Sequence, residues 1–509
     1  MSLSKNVRSK SKSFGRRSLV ECLESRTLMT GGPTKLTVTN LLPSGTGSLS
    51  AEVHLANAVP FSQGPVIISF AAGLQGTIPE TGPVVISGPA GEYIQGPSAG
   101  GITVSGQGTS ALVDVAAGDL AAGITNLSFV NGAASTSGGD GSIEVDGGSL
   151  TLNNVSVSAT ANAIYVGAGA TASFLNLTES HCTGVYSLEA YGPITVYTST
   201  FVTNNTTAYG IACFNSATFQ SVAVNQNKAG NGGIFLDNTG LSGVHWSVTD
   251  TTLYNNLPVN NDGGPGGGGL IATATVPTSL AVADSTFAYN DNNTGDTNGG
   301  GISIEGTVPA TLTSNDVAYN IDTLGGLWAY ESGGYQVLTT NGIYAGNFGS
   351  PDICDSYNPN GAGAPISLAS GGYNLDNSTS TEGATWSNMV YLQNSDELGV
   401  GANLAQLAYC GGPNTSEFEF ALTTQSLTVI GNGNPNLSGY DQTGTNPYAM
   451  DRGSMQNVPI PSGQVVAHGT VVTQSSSVLL GTLPTTTNVD VFDLALDSVS
   501  NAKHRPTTV

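Results

Sequence analysis

A phrase of small polar residues, an apolar residue and a closing asparagine recurs along the chain, and this repetition constrains the fold more than any other feature. The phrases close at Asn204, Asn225, Asn256, Asn290, Asn320 and Asn347, at intervals of 21, 31, 34, 30 and 27 residues. Because the strand-like phrases keep their length while the intervals vary, the insertions must lie in turns. Repeats of this length indicate stacked coils of two or three short strands, with equivalent residues about 4.8 Å apart along the axis.

The repeat predicts an apolar interior and a column of asparagines at one corner. An apolar side chain precedes each closing asparagine by three positions, and the six are Phe201, Val222, Leu253, Phe287, Val317 and Tyr344. Asparagine tolerates the left-handed conformation that a sharp corner needs, and its amide can bond to the next amide in the stack. We therefore interpret the asparagines as structural. A second strand, opened by paired glycines, follows at Gly232, Gly268, Gly300 and Gly325.

Charge is sparse and unevenly distributed. Charged residues make up 9% of the 509 residues, and the formal net charge is −23. Eight of the 12 basic residues lie before position 36, and only Lys228 and Arg452 fall between 36 and 502. Nucleic-acid binding needs clustered Lys and Arg, so this composition excludes it. Four cysteines lie beyond the basic start, and we expect buried thiols, with a disulfide as the alternative, for Cys182, Cys213, Cys354 and Cys410.

One acidic turn is the strongest metal hypothesis. Asp291 and Asp296 lie in the insertion after Asn290, but the EF-hand pattern fails because Gly295 and Ile302 occupy ligand positions. A solvated turn is the favoured interpretation, and a calcium site formed by Asp291 and Asp296 is the alternative. No other cofactor is expected.

The first 34 residues form a basic, Ser-rich leader that we expect to be disordered. Its short apolar segment is interrupted by charges and cannot span a bilayer. The leader resembles one found on large surface and secreted proteins of some bacteria, with the core pattern Leu-Glu-x-Arg-x-Leu-Leu. Leu23, Glu24, Arg26 and Leu28 match, whereas Ser25 and Met29 replace Pro and Leu. The resemblance implies export, to the cell surface or beyond.

Residues 36–58, LTVTNLLPSGTGSLSAEVHLANA, resemble the opening of bacterial surface β-helix proteins. The stretch reads as a strand, a turn and a helix from about Ser48 to Ala58, which would cap the open end of the solenoid. The resemblance implies a right-handed parallel β-helix of the pectin-lyase-like class, all-β and single-stranded, over residues 35–400. It implies no particular chemistry, because one fold carries many functions.

Residues 401–456 resemble the choice-of-anchor module that closes such proteins. The Gly-Gly-Pro-x-Thr start at Gly411, the Asp-Gln-x-Gly at Asp441 and the Asp-x-Gly at Asp451 match, whereas Thr443 stands where the family has Arg. The remaining residues, 457–509, read as a Ser/Thr-rich tail without a membrane or lipid anchor.

The chemistry of related enzymes can be tested on the residues. Lyases of this fold abstract a proton with Lys or Arg, but Lys228 stands alone in a turn and Arg452 lies beyond the solenoid. Hydrolases use converging carboxylates, and their usual Asn-x-Asp, Asp-Asp and Gly-His-Gly motifs are absent. Aromatic side chains suit neutral sugar rings, and Tyr289, Tyr319, Trp246 and Trp328 are the candidate carbohydrate-binding residues. A stacked aromatic ladder that stabilises adjacent coils is the alternative interpretation.

The sequence thus favours an exported, acidic solenoid with a structural or adhesive role at the cell surface or in a matrix. Its expected partners are neutral polysaccharides, and a monomer without a membrane span is expected. A carbohydrate-active enzyme with an unrecognised pair of carboxylates is the alternative.

Overall fold

The computed structural model describes the central part of the chain. The described residues are 32–116, 121–135, 141–230, 232–258, 268–291, 299–321, 325–331, 335–348, 352–355, 367–377, 393–405, 407–408, 419–420, 429, 432–434 and 453. The predicted tail and most of the predicted leader lie outside them.

The regular secondary structure of the described chain is almost entirely strand. One helix, α1 (Leu49–Asn57), and one 3-10 turn (Phe61–Gln63) lie near its start. The strands are β1 (Thr34–Val38), β2 (Val66–Phe70), β3 (Gly76–Pro79), β4 (Val84–Ile86), β5 (Glu92–Gln95), β6 (Ile102–Ser105), β7 (Val113–Val115), β8 (Ala122–Thr125), β9 (Ser128–Val130), β10 (Ile143–Val145), β11 (Gly148–Ser158), β12 (Ile164–Val166), β13 (Ala170–Ser180), β14 (Thr183–Ala190), β15 (Ile194–Tyr197), β16 (Thr200–Val202), β17 (Asn205–Cys213), β18 (Ala217–Gln220), β19 (Ala223–Asn225), β20 (Lys228–Ala229), β21 (Ile234–Asn238), β22 (His245–Thr249), β23 (Thr252–Tyr254), β24 (Leu257–Pro258), β25 (Leu270–Ala274), β26 (Ser279–Ala283), β27 (Thr286–Ala288), β28 (Ile302–Gly306), β29 (Ala310–Thr313), β30 (Asp316–Ala318), β31 (Leu327–Glu331), β32 (Gln336–Thr340), β33 (Ile343–Ala345), β34 (Ile353–Asp355), β35 (Ser367–Gly372), β36 (Leu375–Asp376), β37 (Glu397–Leu398), β38 (Leu407–Ala408) and β39 (Glu419–Phe420).

Each coil contributes one strand to each of three faces, and each strand pairs in parallel with its equivalents in the coils before and after it. Face A contains β1, β2, β5, β8, the first halves of β11 and β13, then β15, β18, β22, β26, β29, β32 and β35. Face B contains β3, β6, β9, the second halves of β11 and β13, then β16, β19, β23, β27, β30, β33, β36 and β37. Face C contains β4, β7, β10, β12, β14, β17, β21, β25, β28, β31 and β34. The chain is a right-handed parallel β-helix, which confirms the predicted fold.

The helix α1 packs at the first end of the solenoid, beside β1, β2 and β4. Ser48 caps it, since its side chain accepts a hydrogen bond from the Ala51 amide at 3.2 Å. Asn57 then bonds to the backbone of the β4 edge, donating to the Val85 carbonyl at 2.8 Å and accepting from the Ser87 amide at 2.7 Å. The predicted capping helix is therefore confirmed.

A column of buried side chains at the corner after face B holds successive coils together. Its members, in order, are Asn204, Asn227, Asn256, Asn290, Asn320, Asn347 and Asp352. From Asn227 to Asn347, each asparagine donates two hydrogen bonds, one from its backbone N–H and one from its side-chain Nδ2. Both go to the side-chain oxygen of the next member of the column, at 2.8–3.2 Å. Because these groups are buried, each bond satisfies polar atoms that water cannot reach.

The structure corrects one coil of the predicted register. Asn225 pairs with Tyr254 on face B, and Asn227 occupies the asparagine column. Accordingly the interior apolar residue of that coil is Val224, between Phe201 and Leu253, and Val222 lies outside this column. The predicted register was shifted by two residues. Because side chains alternate inward and outward along a strand, a shift of two leaves the pattern of apolar residues unchanged, so that pattern could not reveal the error.

The described residues of the predicted closing module lie against the side of face B. Phe420 and Val429 are buried with Ala288 and Ala318 of face B. The Gly453 amide donates to the Asn341 carbonyl at 2.8 Å, and the Asn434 amide donates to the Asn341 Oδ1 at 2.9 Å.

Candidate functional site

The outward row along the middle of face C concentrates chemically active side chains. Its register runs Asp114, Glu144, Tyr165, Glu189, Ala212, Phe235, Ile271, Ser303 and Trp328. The flanking residues of these strands point into the core, as Ile143 and Val145 do beside Glu144. Asp146 follows β10 two positions after Glu144 and lies on the same side of the sheet.

Asp114, Glu144 and Asp146 form what we call the carboxylate cluster. Asp114 and Glu144 are direct partners in adjacent coils, so their backbones lie about 4.8 Å apart. The carboxyl groups of Asp146 and Glu144 are close enough to interact, and this interaction is one of the causes that raise the pKa of Asp146. Asp114 Oδ1 is buried without a hydrogen-bond partner in the described part of the chain.

The surroundings make these carboxyl groups weaker acids. Asp146 is exposed at the rim, yet loss of hydration against the sheet is the main cause that raises its pKa to about 6. The charge of Glu144, the hydrogen bond to Glu144 and the charge of Asp114 raise it further. Burial, followed by the charge of Glu144, raises the pKa of Asp114. A carboxyl group whose pKa is raised to about 6 can act as an acid at weakly acidic pH.

An aromatic patch adjoins the cluster. It begins with Tyr165, the direct register partner of Glu144, and continues through Tyr191, Tyr209, Phe214 and Phe235. Tyr191 and Phe214 stack with centroids 4.6 Å apart, and Tyr209 and Phe235 stack at 5.0 Å. The Tyr191 hydroxyl donates to Glu189 Oε1 at 3.2 Å. Stacked rings with polar groups at their edges can contact both the C–H faces and the hydroxyls of sugar rings.

Face C is electronegative. The described part of the solenoid after Lys35 contains one basic residue, Lys228, which is exposed in β20 between faces B and C. Within the described ranges, no group of three or more His, Cys, Asp or Glu side chains has an arrangement that could hold a metal ion. The electronegative face attracts protons and repels anionic polymers.

The predicted aromatic site is brought together only in part. Tyr289 and Tyr319 stack at 5.4 Å, at left-handed positions with φ of 53° and 57°, and Phe420 packs against both. Tyr289 is 38% exposed. The structure corrects the prediction that the two tryptophans bind carbohydrate. Trp246 is 1% exposed in the interior and donates its indole N–H to the Asn215 carbonyl at 2.9 Å. Trp328 is 6% exposed, so neither ring is accessible for stacking on a sugar.

The predicted metal and cysteine positions are only partly described. Asp291 starts a short bridge with Ile321, and its amide donates to the Asn256 carbonyl at 3.0 Å. Asp296 lies outside the described residues, so a calcium site formed with Asp296 stays a prediction. Cys182 and Cys213 are buried free thiols. The Cys354 side chain and Cys410 fall outside the described part.

The carboxylate cluster was missed by the sequence reasoning. The strands VDV, IEV, IYV, LEA and IAC share an apolar residue on each side of their central position. This alternation could have aligned Asp114, Glu144 and Glu189. Paired glycines, however, mark the face C strands only from Gly232 onward, and the cluster lies before that point.

No protein-family model matches the chain, and no curated protein matches it. The chain is similar to a solved structure of pectate lyase Pel9A, with 14% identity, coverage of 84% of this chain and 98% of that chain, and a TM-score of 0.42. It is also similar to a PL6 alginate lyase in complex with a trisaccharide, with 9% identity, coverage of 76% and 91%, and a TM-score of 0.33. Among the described residues, no helix is long and apolar enough to cross a membrane.

Proposed function

We propose that the protein is a carbohydrate-active enzyme that hydrolyses a neutral polysaccharide on the outer surface of face C. The observation that carries this proposal is the grouping of Asp114, Glu144 and Asp146 on the outward side of two adjacent coils, one coil from Tyr165. A carboxyl group that holds its proton, a second carboxyl group close by and a surface that can bind sugar rings are the minimum that glycoside hydrolysis requires.

The proposed roles follow from the protonation states. Asp146, with its pKa raised to about 6, donates a proton to the glycosidic oxygen as the bond from that oxygen to the anomeric carbon breaks. Asp114, as a carboxylate, accepts a proton from the water whose oxygen bonds to the anomeric carbon, because Asp114 is partly exposed whereas Glu144 is fully buried. One water is consumed for each bond cleaved, and both carboxyl groups regain their starting states by proton exchange with solvent. The aromatic patch holds the sugars on one side of the cleavage point.

Charge supports a neutral substrate. A polyuronate brings one carboxylate per sugar, and face C would repel it because its outward row already carries Asp114, Glu144 and Glu189. The described face offers no Lys or Arg to bind a uronate or to remove its α-proton. We therefore propose hydrolysis in preference to the lyase reaction. The resemblance of the leader and of residues 401–456 supports action outside the cell, in secreted or surface-attached form.

Binding without turnover is the second candidate, as an adhesive or structural surface protein. The exposed ring of Tyr289, stacked on Tyr319, favours it. Simultaneous replacement of Tyr289 and Tyr319 by Ala would then weaken binding to cells or neutral glycans, while face C substitutions would not.

The proposed hydrolysis is tested by release of reducing ends from neutral polysaccharides, with pectate and alginate as acidic comparisons. We expect release from a neutral polymer, no unsaturated product from the uronates, and a rate about 100-fold or more lower in Asp146→Asn, the size of effect usual for loss of a general acid.

Glu305→Gln is the matched control. Burial also raises the pKa of Glu305 to about 7, and Glu305 lies on the outward side of face C two residues beyond Ser303, many coils from the cluster. An unchanged rate in Asp146→Asn, or an equal loss in Glu305→Gln, would contradict the assignment. Binding without release by the wild type would favour the adhesive role.

A further inference from the structure

Face A differs in its chemistry from the rest of the acidic chain. The face A portions of the strands from β8 to β32 contain no Asp, Glu, Lys or Arg, although the protein carries a net charge of −23. Asp250 and Asp284 lie just outside these strands, at the corner that follows β22 and β26. A solvent-facing sheet without charge in so acidic a protein suits a partner that is itself uncharged.

The outward side chains of face A form regular rows of hydroxyl groups. One row runs in register through five consecutive coils as Thr151, Ser173, Thr195, Thr218 and Ser247, and it resumes at Thr311 after Ala281; these six hydroxyl-bearing residues are exposed or half-buried. Its members repeat about every 4.8 Å along the axis, and the next row lies two residues away, about 6.6 Å along each strand. Such a lattice presents donors and acceptors at fixed intervals on a flat surface.

The second row adds apolar contact area. Leu175 and Tyr197 are direct register partners and are 40% and 37% exposed. Gln220, Thr249 and Thr313 lie further along the same row. Exposed neighbouring apolar side chains on a polar sheet mark an interaction surface, and a tyrosine ring is suited to the C–H face of a sugar.

We propose that face A binds the flat, uncharged surface of an ordered, insoluble polysaccharide, and that it anchors the protein to that solid while face C acts on chains. The regular axial spacing favours an ordered polymer over a free chain, and the missing charges favour a neutral polymer. Ice, which is also flat and neutral, fits less well because Leu175 and Tyr197 project from the hydroxyl rows. This inference goes beyond the proposed hydrolysis, since face A binding requires no catalytic residue.

The test is a depletion assay with microcrystalline cellulose and with chitin powder as the probes. The variant Thr195→Lys/Thr218→Lys places two charges at the centre of the face. We expect its binding to at least one of these solids to be about tenfold or more weaker than that of the wild type, because an unpaired ammonium group would lose hydration against a neutral surface.

The matched control is Thr178→Lys/Thr200→Lys, in which the same residue types change in direct register partners on face B. It should bind as the wild type does, and thermal melts of both variants should show that they are folded. Asp146→Asn should also bind normally, so failed hydrolysis and failed anchoring are distinguishable. Equal weakening in both lysine variants, no binding by the wild type to either solid, or inhibition of ice growth without polysaccharide binding would overturn the proposal.

Discussion

Replacing Asn227 by Ala should open one coil of the solenoid locally. Asn227 accepts a hydrogen bond from the Asn204 amide at 3.0 Å and donates from Nδ2 to the Phe201 carbonyl at 3.1 Å. Alanine leaves both buried backbone groups without these partners, at about 1–3 kcal/mol each, so the coil should lose roughly 2–6 kcal/mol. Asn256 Oδ1 keeps its bond from the backbone amide of residue 227.

Native-state hydrogen exchange measures this loss where it occurs. A loss of 2 kcal/mol corresponds to roughly 30-fold faster exchange of the Asn204 amide, at about 1.4 kcal/mol per factor of ten. Asn225→Ala is the control, since Asn225 is also buried in the same coil but is the register partner of Tyr254 and lies outside the column. Equal acceleration by the two variants, or unchanged protection of Asn204 in Asn227→Ala, would refute the register and the role of the column.

Two further predictions concern pH and calcium. Burial raises the pKa of Glu179 from 4.5 to about 7, so the folded state holds this proton more tightly than the unfolded state. The protonated Glu179 therefore stabilises the folded state fully below about pH 4.5, and this contribution is lost as the pH rises through 7. Across this window, urea titrations should show the free energy of unfolding of the wild type falling by up to about 3 kcal/mol more than that of Glu179→Gln. Parallel pH dependences of the two proteins would contradict this prediction. For the turn after Asn290, Asp291→Ala/Asp296→Ala should leave the melting temperature in EDTA unchanged; a rise on adding calcium that only the wild type shows would establish a calcium site instead.

Much of the fold could be predicted because its determinants are local. The closing asparagines, the apolar residues three positions before them and the Ser48 cap each act within one coil or one turn. The interior pairings of Leu253 with Phe287, and of Phe287 with Val317, follow directly from that spacing. The error at Asn225 arose where two asparagines stand two residues apart, because strand alternation alone cannot distinguish them.

The carboxylate cluster depends on information that is not local. Asp114 and Glu144 are 30 positions apart, and they meet only because the intervening loops give their strands the same register. The sequence also does not reveal that Trp246 points inward. The alternation of side chains along β22 allows either direction, and the structure fixes it by placing His245 and Ser247 on the outer side. Chemistry that arises from stacking loops of unequal length therefore becomes visible only when the coils are aligned in space.

The pH dependence of kcat/KM on a soluble neutral polysaccharide tests most directly whether the carboxylate cluster carries out hydrolysis. Because Asp146 must hold its proton and its pKa is raised to about 6, activity should fall as the pH rises above about 6. In Asp146→Asn that limb should disappear together with most of the activity, whereas Glu305→Gln should keep the wild-type profile. A profile that Asp146→Asn leaves unchanged, or no hydrolysis of any neutral polysaccharide between pH 4 and 8, would contradict the proposed site.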